Sequence, residues 1–253
     1  MGLANRIIPT ILCRGRELVK GKQFVNDRRV GVAAQAVRIH AMRGVDEVVL
    51  LDINATREGR GPDLALVEEL SEVLFAPLAV GGGIRSLQHV RDLLRAGADK
   101  VVIGTGAMEI PDLVRRCAEA LGGQGIVVSV DALATESIYY AMKRCGQQAR
   151  DTTTSAIEWA MECEKNGAGE ILLQSIDRDG AMQGYDLELI RSVSRAVSIP
   201  VIASGGCGSY EHMREALAAG ASAVAAGALF QFTDCTPKGA ARYLASRGVE
   251  VRI

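Results

Sequence analysis

Pro77-Leu-Ala-Val-Gly-Gly-Gly-Ile84 and Pro200-Val-Ile-Ala-Ser-Gly-Gly-Cys207 are two versions of one pattern, a short apolar run that stops in a glycine-rich loop. Each is followed by a second run of the same kind, Gly97-Ala-Asp-Lys-Val-Val-Ile-Gly-Thr-Gly-Ala107 and Gly220-Ala-Ser-Ala-Val-Ala-Ala-Gly-Ala-Leu229. Upstream, Gly44-Val-Asp-Glu-Val-Val-Leu-Leu-Asp-Ile53 answers Gly167-Ala-Gly-Glu-Ile-Leu-Leu-Gln-Ser-Ile176 at the same offset. An offset kept across three blocks marks two related half-domains, at approximately 1–122 and 123–253. Each half has its own place for an anion. The expected ligand is therefore long, with a phosphate-like group at either end.

Working outward from these blocks, short β-rich runs alternate with helix-period segments along the whole chain. The expected strands are Arg6–Leu12, Glu47–Asp52, Leu78–Val80, Lys100–Ile103, Ile126–Val130, Glu170–Gln174, Val201–Ala203 and Ala223–Ala226. Several are apolar on both faces, as strands of a buried parallel sheet must be. Amphipathic stretches such as Leu64–Leu74, Val90–Ala96, Ala156–Asn166 and Met213–Ala219 lie between them, and Gly97, Gly167 and Gly220 follow as helix stops. Eight β–α units fit either a closed barrel or a doubly wound open sheet. The duplication favours closure, so the expectation is α/β: one (β/α)8 TIM barrel in a single domain.

Composition narrows the function. A chain of 253 residues with 48% hydrophobic and 23% charged residues has the make-up of a globular protein with one large core. A net charge of −1 offers no broad field for nucleic acid or an anionic membrane, so any phosphate recognition must be local. No apolar run approaches a membrane span and no leader is legible, so the expected location is cytoplasmic. Cys13, Cys117, Cys145, Cys163, Cys207 and Cys235 are scattered without C-x-x-C spacing, which fits reduced thiols and neither zinc nor any other metal. His40, His89 and His212 all fall in helix-like stretches, which argues against histidine-based chemistry. No cofactor is expected.

In a barrel of this kind chemistry sits at the C-terminal ends of the strands. Leu12, Asp52, Gly82, Gly83, Thr105, Asp131, Ser175, Asp177, Asp179, Ser204, Gly205, Gly206, Gly227 and Ala228 gather there, so acids and bare backbone converge on one mouth. Glycine lets backbone N–H groups approach an anion closely. The spacing is not that of the dinucleotide fingerprint. Asp131 closes Ile126-Val-Val-Ser-Val130 and is the best placed acid–base group, although an aspartate there can also cap a following helix. Asp52 serves either substrate or structure; Asp179-Gly180 either holds a phosphate through its amides or only turns the chain. Lys20 falls in a loop that could close over a bound phosphate. Cys13 points away from the face of Leu12, and Trp159 reads as packing. At the other end Arg6, Glu47, Lys100 and Glu170 share a barrel floor, where unpaired charge is costly, so they should pair.

Arg6-Ile-Ile-Pro9, Val19-Lys-Gly21, Leu51-Asp-Ile53, Val80-Gly-Gly-Gly-Ile84, Ser175-Ile-Asp-Arg-Asp-Gly180, Gly184-Tyr-Asp186 and Ile202-Ala-Ser-Gly-Gly206 resemble the cyclase subunit of imidazole glycerol phosphate synthase, from Arg6 to about Arg252. That resemblance implies a partner glutaminase docked at the N-terminal face of the barrel. Ammonia would pass a charged gate at Arg6, Glu47, Lys100 and Glu170, with Asp99 meeting the partner. At the mouth it would meet a bis-phosphorylated ribulosyl aminoimidazole carboxamide ribonucleotide. Gly82, Gly83, Thr105, Asp179, Gly180, Gly205, Gly206, Gly227 and Ala228 match the family's phosphate sites, Lys20 its loop lysine and Asp131 one catalytic aspartate.

Leu12 stands where the resemblance implies the other catalytic aspartate, and Gln174 where it implies a threonine. Losing a proton-transfer group removes roughly 10²–10⁴-fold in rate. Thr10-Ile-Leu-Cys-Arg-Gly15 resembles paralogues of surface-polysaccharide pathways, which implies delivery of ammonia for acetamidino-sugar formation with a glutaminase and a third, synthetase-like enzyme. The sequence thus raises three readings. One is a diverged amidotransferase barrel acting on a phosphorylated or nucleotide-sugar substrate. The second is an ordinary cyclase of histidine biosynthesis with Asp52 standing in for the lost carboxylate. The third is a non-enzymatic ammonia conduit and scaffold.

Overall fold

The computed structural model describes residues 4–143 and 153–252, the side chain of Asn26 excepted. Eight parallel strands close into a barrel: β1 (Arg6–Arg14), β4 (Val48–Asp52), β5 (Leu78–Gly81), β6 (Lys100–Ile103), β7 (Ile126–Thr135), β9 (Glu170–Ser175), β10 (Val201–Ser204) and β11 (Ala223–Ala226), with β11 pairing back onto β1. Helices fill the intervals: α1 (Ala33–Met42), α2 (Leu64–Ser71), α3 (Leu87–Arg95), the short α4 (Thr105–Glu109), α5 (Leu113–Leu121), α6 (Ala156–Lys165), α7 (Leu187–Ala196), α8 (Tyr210–Ala218), the short α9 (Ala228–Phe232) and α10 (Pro237–Ser246). All eight expected strands form, and closure rather than an open sheet is the outcome.

Alternation along the strands makes two cores. Ile8, Val49, Ala79, Val102, Val127, Leu172, Ile202, Ala223 and Ala225 point inward and fill the tube with an apolar plug. Their neighbours, among them Ile7, Leu50, Val80, Val101, Val128 and Ile171, point outward against helix residues such as Leu70, Leu93 and Leu189. Burying each large side chain of this outer layer stabilises the fold by about 1.5–3 kcal/mol relative to exposure. A Leu93→Ala change, in a side chain with no solvent exposure, would cost about 2–5 kcal/mol through transfer and cavity terms.

Local chemistry repeats at the offset seen in the sequence. Asp63 caps α2 by accepting from the Leu66 N–H at 3.0 Å, and Asp186 caps α7 by accepting from the Leu189 N–H at 3.1 Å. Ser86 and Ser209 do the same for the N–H groups of His89 and His212. Caps of this kind contribute about 1 kcal/mol each.

Three strands lie outside the expected set: β2 (Glu17–Lys22) and β3 (Val25–Val32), which form a hairpin on β1, and β8 (Ile138–Met142), which extends β7 to Thr135 by antiparallel pairing. Lys20 accordingly sits on a strand, not in an open loop. The hairpin tip is tied down: Gln23 N–H donates to the Asp179 carbonyl and its side chain to the Asp177 carbonyl, both at 3.0 Å. Cys13, Cys117, Cys163 and Cys207 are buried free thiols and Cys235 is partly exposed, whereas Cys145 lies outside the described residues. Among the described residues no helix is long and apolar enough to cross a membrane, and no His/Cys/carboxylate group has the arrangement of a metal site.

Candidate functional site

At the floor, four charges from four strand beginnings form one network. Glu47 Oε2 accepts from Arg6 at 2.6 Å and from Lys100 at 2.8 Å, while Glu170 accepts from Arg6 at 3.1 Å and from Lys100 at 3.0 Å. Each cation touches both carboxylates, so the ring is neutral and cross-linked. Glu47 is 1% exposed. The expected pairing is present. Burial pulls the Arg6 pKa down but the two carboxylates outweigh it and leave a net rise, so its charge is secure. Asp99 is exposed beside Lys100, with one oxygen accepting from the Leu78 N–H at 2.8 Å.

At the opposite end the mouth holds two adjoining cavities. The larger, about 180 Å³, is lined by Gly82, Gly83, Gly104, Thr105 and Gly106 together with Asp52, Arg57, Ser129 and Asp131. The smaller, about 40 Å³, is lined by Ser204, Gly205, Gly206, Gly227 and Ala228 together with Thr10, Lys20 and Gly180. Leu12, Gly21, Gln174 and Asp179 line both and so mark the junction. Each glycine loop of the sequence thus borders its own cavity. Backbone crowding explains the glycines: a Cβ at Gly82 (φ +114°) would lie 2.4 Å from the Asp52 carbonyl oxygen, and one at Gly205 (φ +88°) 2.6 Å from that of Ser175.

The charged groups divide into tied and buried ones. Asp131, midway along β7, accepts from Ser129 Oγ at 2.9 Å. Asp179 accepts from Gln174 Nε2 at 3.2 Å. Burial raises its pKa to about 6, with Lys20 and the Phe24 N–H pulling the other way and Asp131 adding to the rise. Lys20 is 7% exposed, donates to the Thr10 carbonyl at 3.2 Å, and is pushed down to about 8 by burial against the attraction of Asp179. Its ammonium lies where a Cβ at Gly227 would sit only 2.3 Å away, so the absent side chain at Gly227 makes room for it.

Two expected site residues have other duties. Asp52 lines the larger cavity, but its carboxylate is engaged by Arg60 at 2.7 Å and by the N–H groups of Asn54 and Ala55 at 3.1 and 3.2 Å. It holds the loop after β4 and is poorly placed to replace a missing proton carrier. Asp177 lines neither cavity; its carboxylate accepts from the Ala134 N–H at 2.8 Å and braces its loop against β7. Sequence reasoning missed Phe24, Asp27, Arg57 and Ser129 in the lining. Ser129 was findable, because it lies two residues before Asp131 on the same inner face.

Comparison with known proteins agrees with this geometry. The family model described as "Histidine biosynthesis protein" matches residues 6–236. The imidazole glycerol phosphate synthase subunit HisF of Dictyoglomus thermophilum is 44% identical over 251 residues, covering 99% of both chains. The HisF subunit of Pyrobaculum aerophilum is 46% identical over 255 residues and all of both chains, and that of Thermococcus gammatolerans 42% over 251 residues and 99% of both. With its barrel closed and relatives matched along their whole length, this chain belongs to the histidine biosynthesis protein family, among the HisF-type cyclase subunits.

Proposed function

We propose that the chain is the cyclase subunit of a glutamine-dependent synthase. It takes ammonia at the floor and uses it at the mouth on a substrate with a phosphate at each end. The observation that carries this reading is the pair of glycine-loop cavities that meet at Leu12, Gln174 and Asp179. A bis-phosphorylated ribulosyl nucleotide reaches both, with its reacting carbon at the junction. The backbone N–H groups of Gly82, Gly83 and Thr105 hold one phosphate, and those of Gly180, Gly205, Gly206, Gly227 and Ala228 the other, with Lys20 supplying positive charge and Ser204 a hydroxyl.

The floor supports the ammonia route. A neutral ring excludes ions, because a bare charge entering the apolar plug above it is strongly penalised, whereas neutral ammonia is not. A glutaminase docks on this face at Asp99, where Phe75 and Met42, 98% and 85% exposed, add apolar surface. In the mouth Asp131 receives the proton released as ammonia attacks, with Ser129 orienting its carboxylate. Products are imidazole glycerol phosphate and the purine precursor that carries the remainder of the substrate.

The similarity to HisF subunits favours this cyclase over the sugar-amidination role suggested by Leu12. One observation still speaks for that second reading: Leu12 makes the junction wall apolar, where the resemblance implies a second aspartate. Turnover of the ribulosyl substrate with ammonium salts separates the two. Cyclase rates in the range of ordinary enzymes, about 1–10³ s⁻¹, support the first. No turnover in the wild type, with turnover gained in Leu12→Asp, refutes it in favour of the second. Ammonia transfer to a third protein without any small-molecule turnover leaves only a conduit.

A further inference from the structure

We propose that Asp179, set by Lys20, is the second proton-transfer group of the mouth and works opposite Asp131 across the junction of the two cavities. This deepens the cyclase reading and rests on it. Ammonia addition and ring closure need two proton movements. An N–H proton must leave the attacking nitrogen as the new N–C bond forms, and another must reach the departing atom as its bond to carbon breaks. Asp131 takes the first. Of the other carboxylates lining the cavities, Asp52 is bound by Arg60, and Asp27 is bound by Arg14 at 3.3 Å. Among the described residues Asp179 has no ion-pair contact of that kind; it lines both cavities and keeps its carboxyl oriented through the Gln174 side-chain amide.

Its surroundings suit a carboxyl that carries a proton near neutrality. Burial favours the protonated form, Asp131 adds like charge, and Lys20 holds the rise in check. The remaining charged side chains near the loop do not oppose this: Lys22 packs its stem on Gly180, Arg178 its Cβ against Gly206, and Asp177 is turned to the Ala134 N–H. A phosphate in either cavity adds negative charge and strengthens the hold on the proton. Asp179 then gives that proton to the departing atom and regains one from solvent or from Asp131 after release, so the cycle balances.

The test uses the full chain, saturating ammonium, the bis-phosphorylated ribulosyl substrate and a kcat profile from pH 5 to 9. Asp179→Asn is expected to lose about 10²–10⁴-fold in kcat with KM changed only a few-fold. Lys20→Met, by removing a cation, should move the alkaline limb of the kcat profile to higher pH, and Lys20→Arg should return it towards its original place. A raised KM with kcat and the limb unmoved in Asp179→Asn means a binding role only and overturns the inference, while leaving the cyclase reading intact. If the wild type does not turn over, the cyclase reading fails, and carbon-13 titration of the side-chain carboxyls decides the pair. A midpoint for Asp179 near 6 that rises in Lys20→Met supports it; an ordinary carboxylate midpoint, unmoved by Lys20→Met, overturns it.

Discussion

Replacing Glu47 by glutamine takes one negative charge from a ring of two cations and two anions. Glu47 Oε2 accepts two charge-assisted bonds, from Arg6 at 2.6 Å and Lys100 at 2.8 Å. Each such bond is worth about 1.5–3 kcal/mol, and the amide oxygen of glutamine retains one weaker, neutral acceptor of about 1 kcal/mol. The difference is about 2–5 kcal/mol. The carboxylate is almost fully buried while the cations keep some access to water, with 20% and 16% of their side chains exposed, so screening trims the upper end. A loss of about 3 kcal/mol follows, in the range seen when one partner is removed from a buried ion pair. Urea unfolding followed by circular dichroism measures it as a lowered midpoint at unchanged slope. The decisive comparison is the double variant Glu47→Gln, Lys100→Met, which leaves Arg6 facing Glu170 and restores neutrality. It should be more stable than the sum of the two single losses by at least about 1 kcal/mol. A single variant within about 0.5 kcal/mol of wild type, or strict additivity in the double, would refute the view of the floor as a coupled, charge-balanced closure.

Asp52→Asn should keep kcat within about tenfold while lowering stability by about 1–2 kcal/mol, since it weakens the bond to Arg60 and the loop cap; a 10²-fold or greater loss of kcat would restore Asp52 as a catalytic acid. Gly205→Ala should abolish phosphate binding, by calorimetry, at the smaller cavity and spare the larger, and Gly82→Ala the reverse, because each new Cβ meets a carbonyl oxygen at 2.6 or 2.4 Å. The Asp179 pKa is higher in the folded chain, about 6 against 3.8, so urea midpoints should rise as pH falls from 6 towards 4, and Asp179→Asn should flatten that rise. Lys20 is lower in the folded chain, about 8 against 10.5, so its cost is complete below pH 8 and is relieved as pH rises towards 10.5. Lys20→Met should therefore stabilise the unliganded chain at pH 7, by less than about 3 kcal/mol, while weakening phosphate binding.

The barrel was legible because its strands are apolar on both faces and its glycines fall where backbones crowd. Leu78–Val80, Lys100–Ile103 and Ala223–Ala226 were readable almost to the residue. The hairpin was not. Val25-Asn-Asp-Arg-Arg29 hides its alternation under charge, since β3 lies largely on the outside. Lys20 was misread for the same reason: a lysine beside Gly21 resembles a solvated loop, yet Leu18, Val19 and Lys20 are all buried because the hairpin folds over the smaller cavity. The engagement of Asp52 by Arg60 has no periodic signal, being a contact within an irregular loop. Pairing at the floor could be argued from cost alone, because four strand starts converge on one ring and only opposite charges fit there.

The same economy of charge explains why Leu12 need not mark a dead mouth. An aspartate at that position would put a third carboxylate against the junction that Asp179 lines, near Asp131 and with Lys20 as the buried cation. Like charges at such a site cannot all ionise, so one would hold a proton. Leucine removes that repulsion but excludes water from the same wall, and desolvation then does to Asp179 what a neighbouring carboxylate would have done. Leu12→Asp is consequently not a simple restoration. It adds a possible acid and at the same time alters the proton affinity of Asp179, so the alkaline limb of the kcat profile should move in that variant even where the rate itself changes little. An unmoved limb would mean that position 12 and Asp179 do not share the electrostatics of one junction, and the apolar wall would then be a loss without compensation.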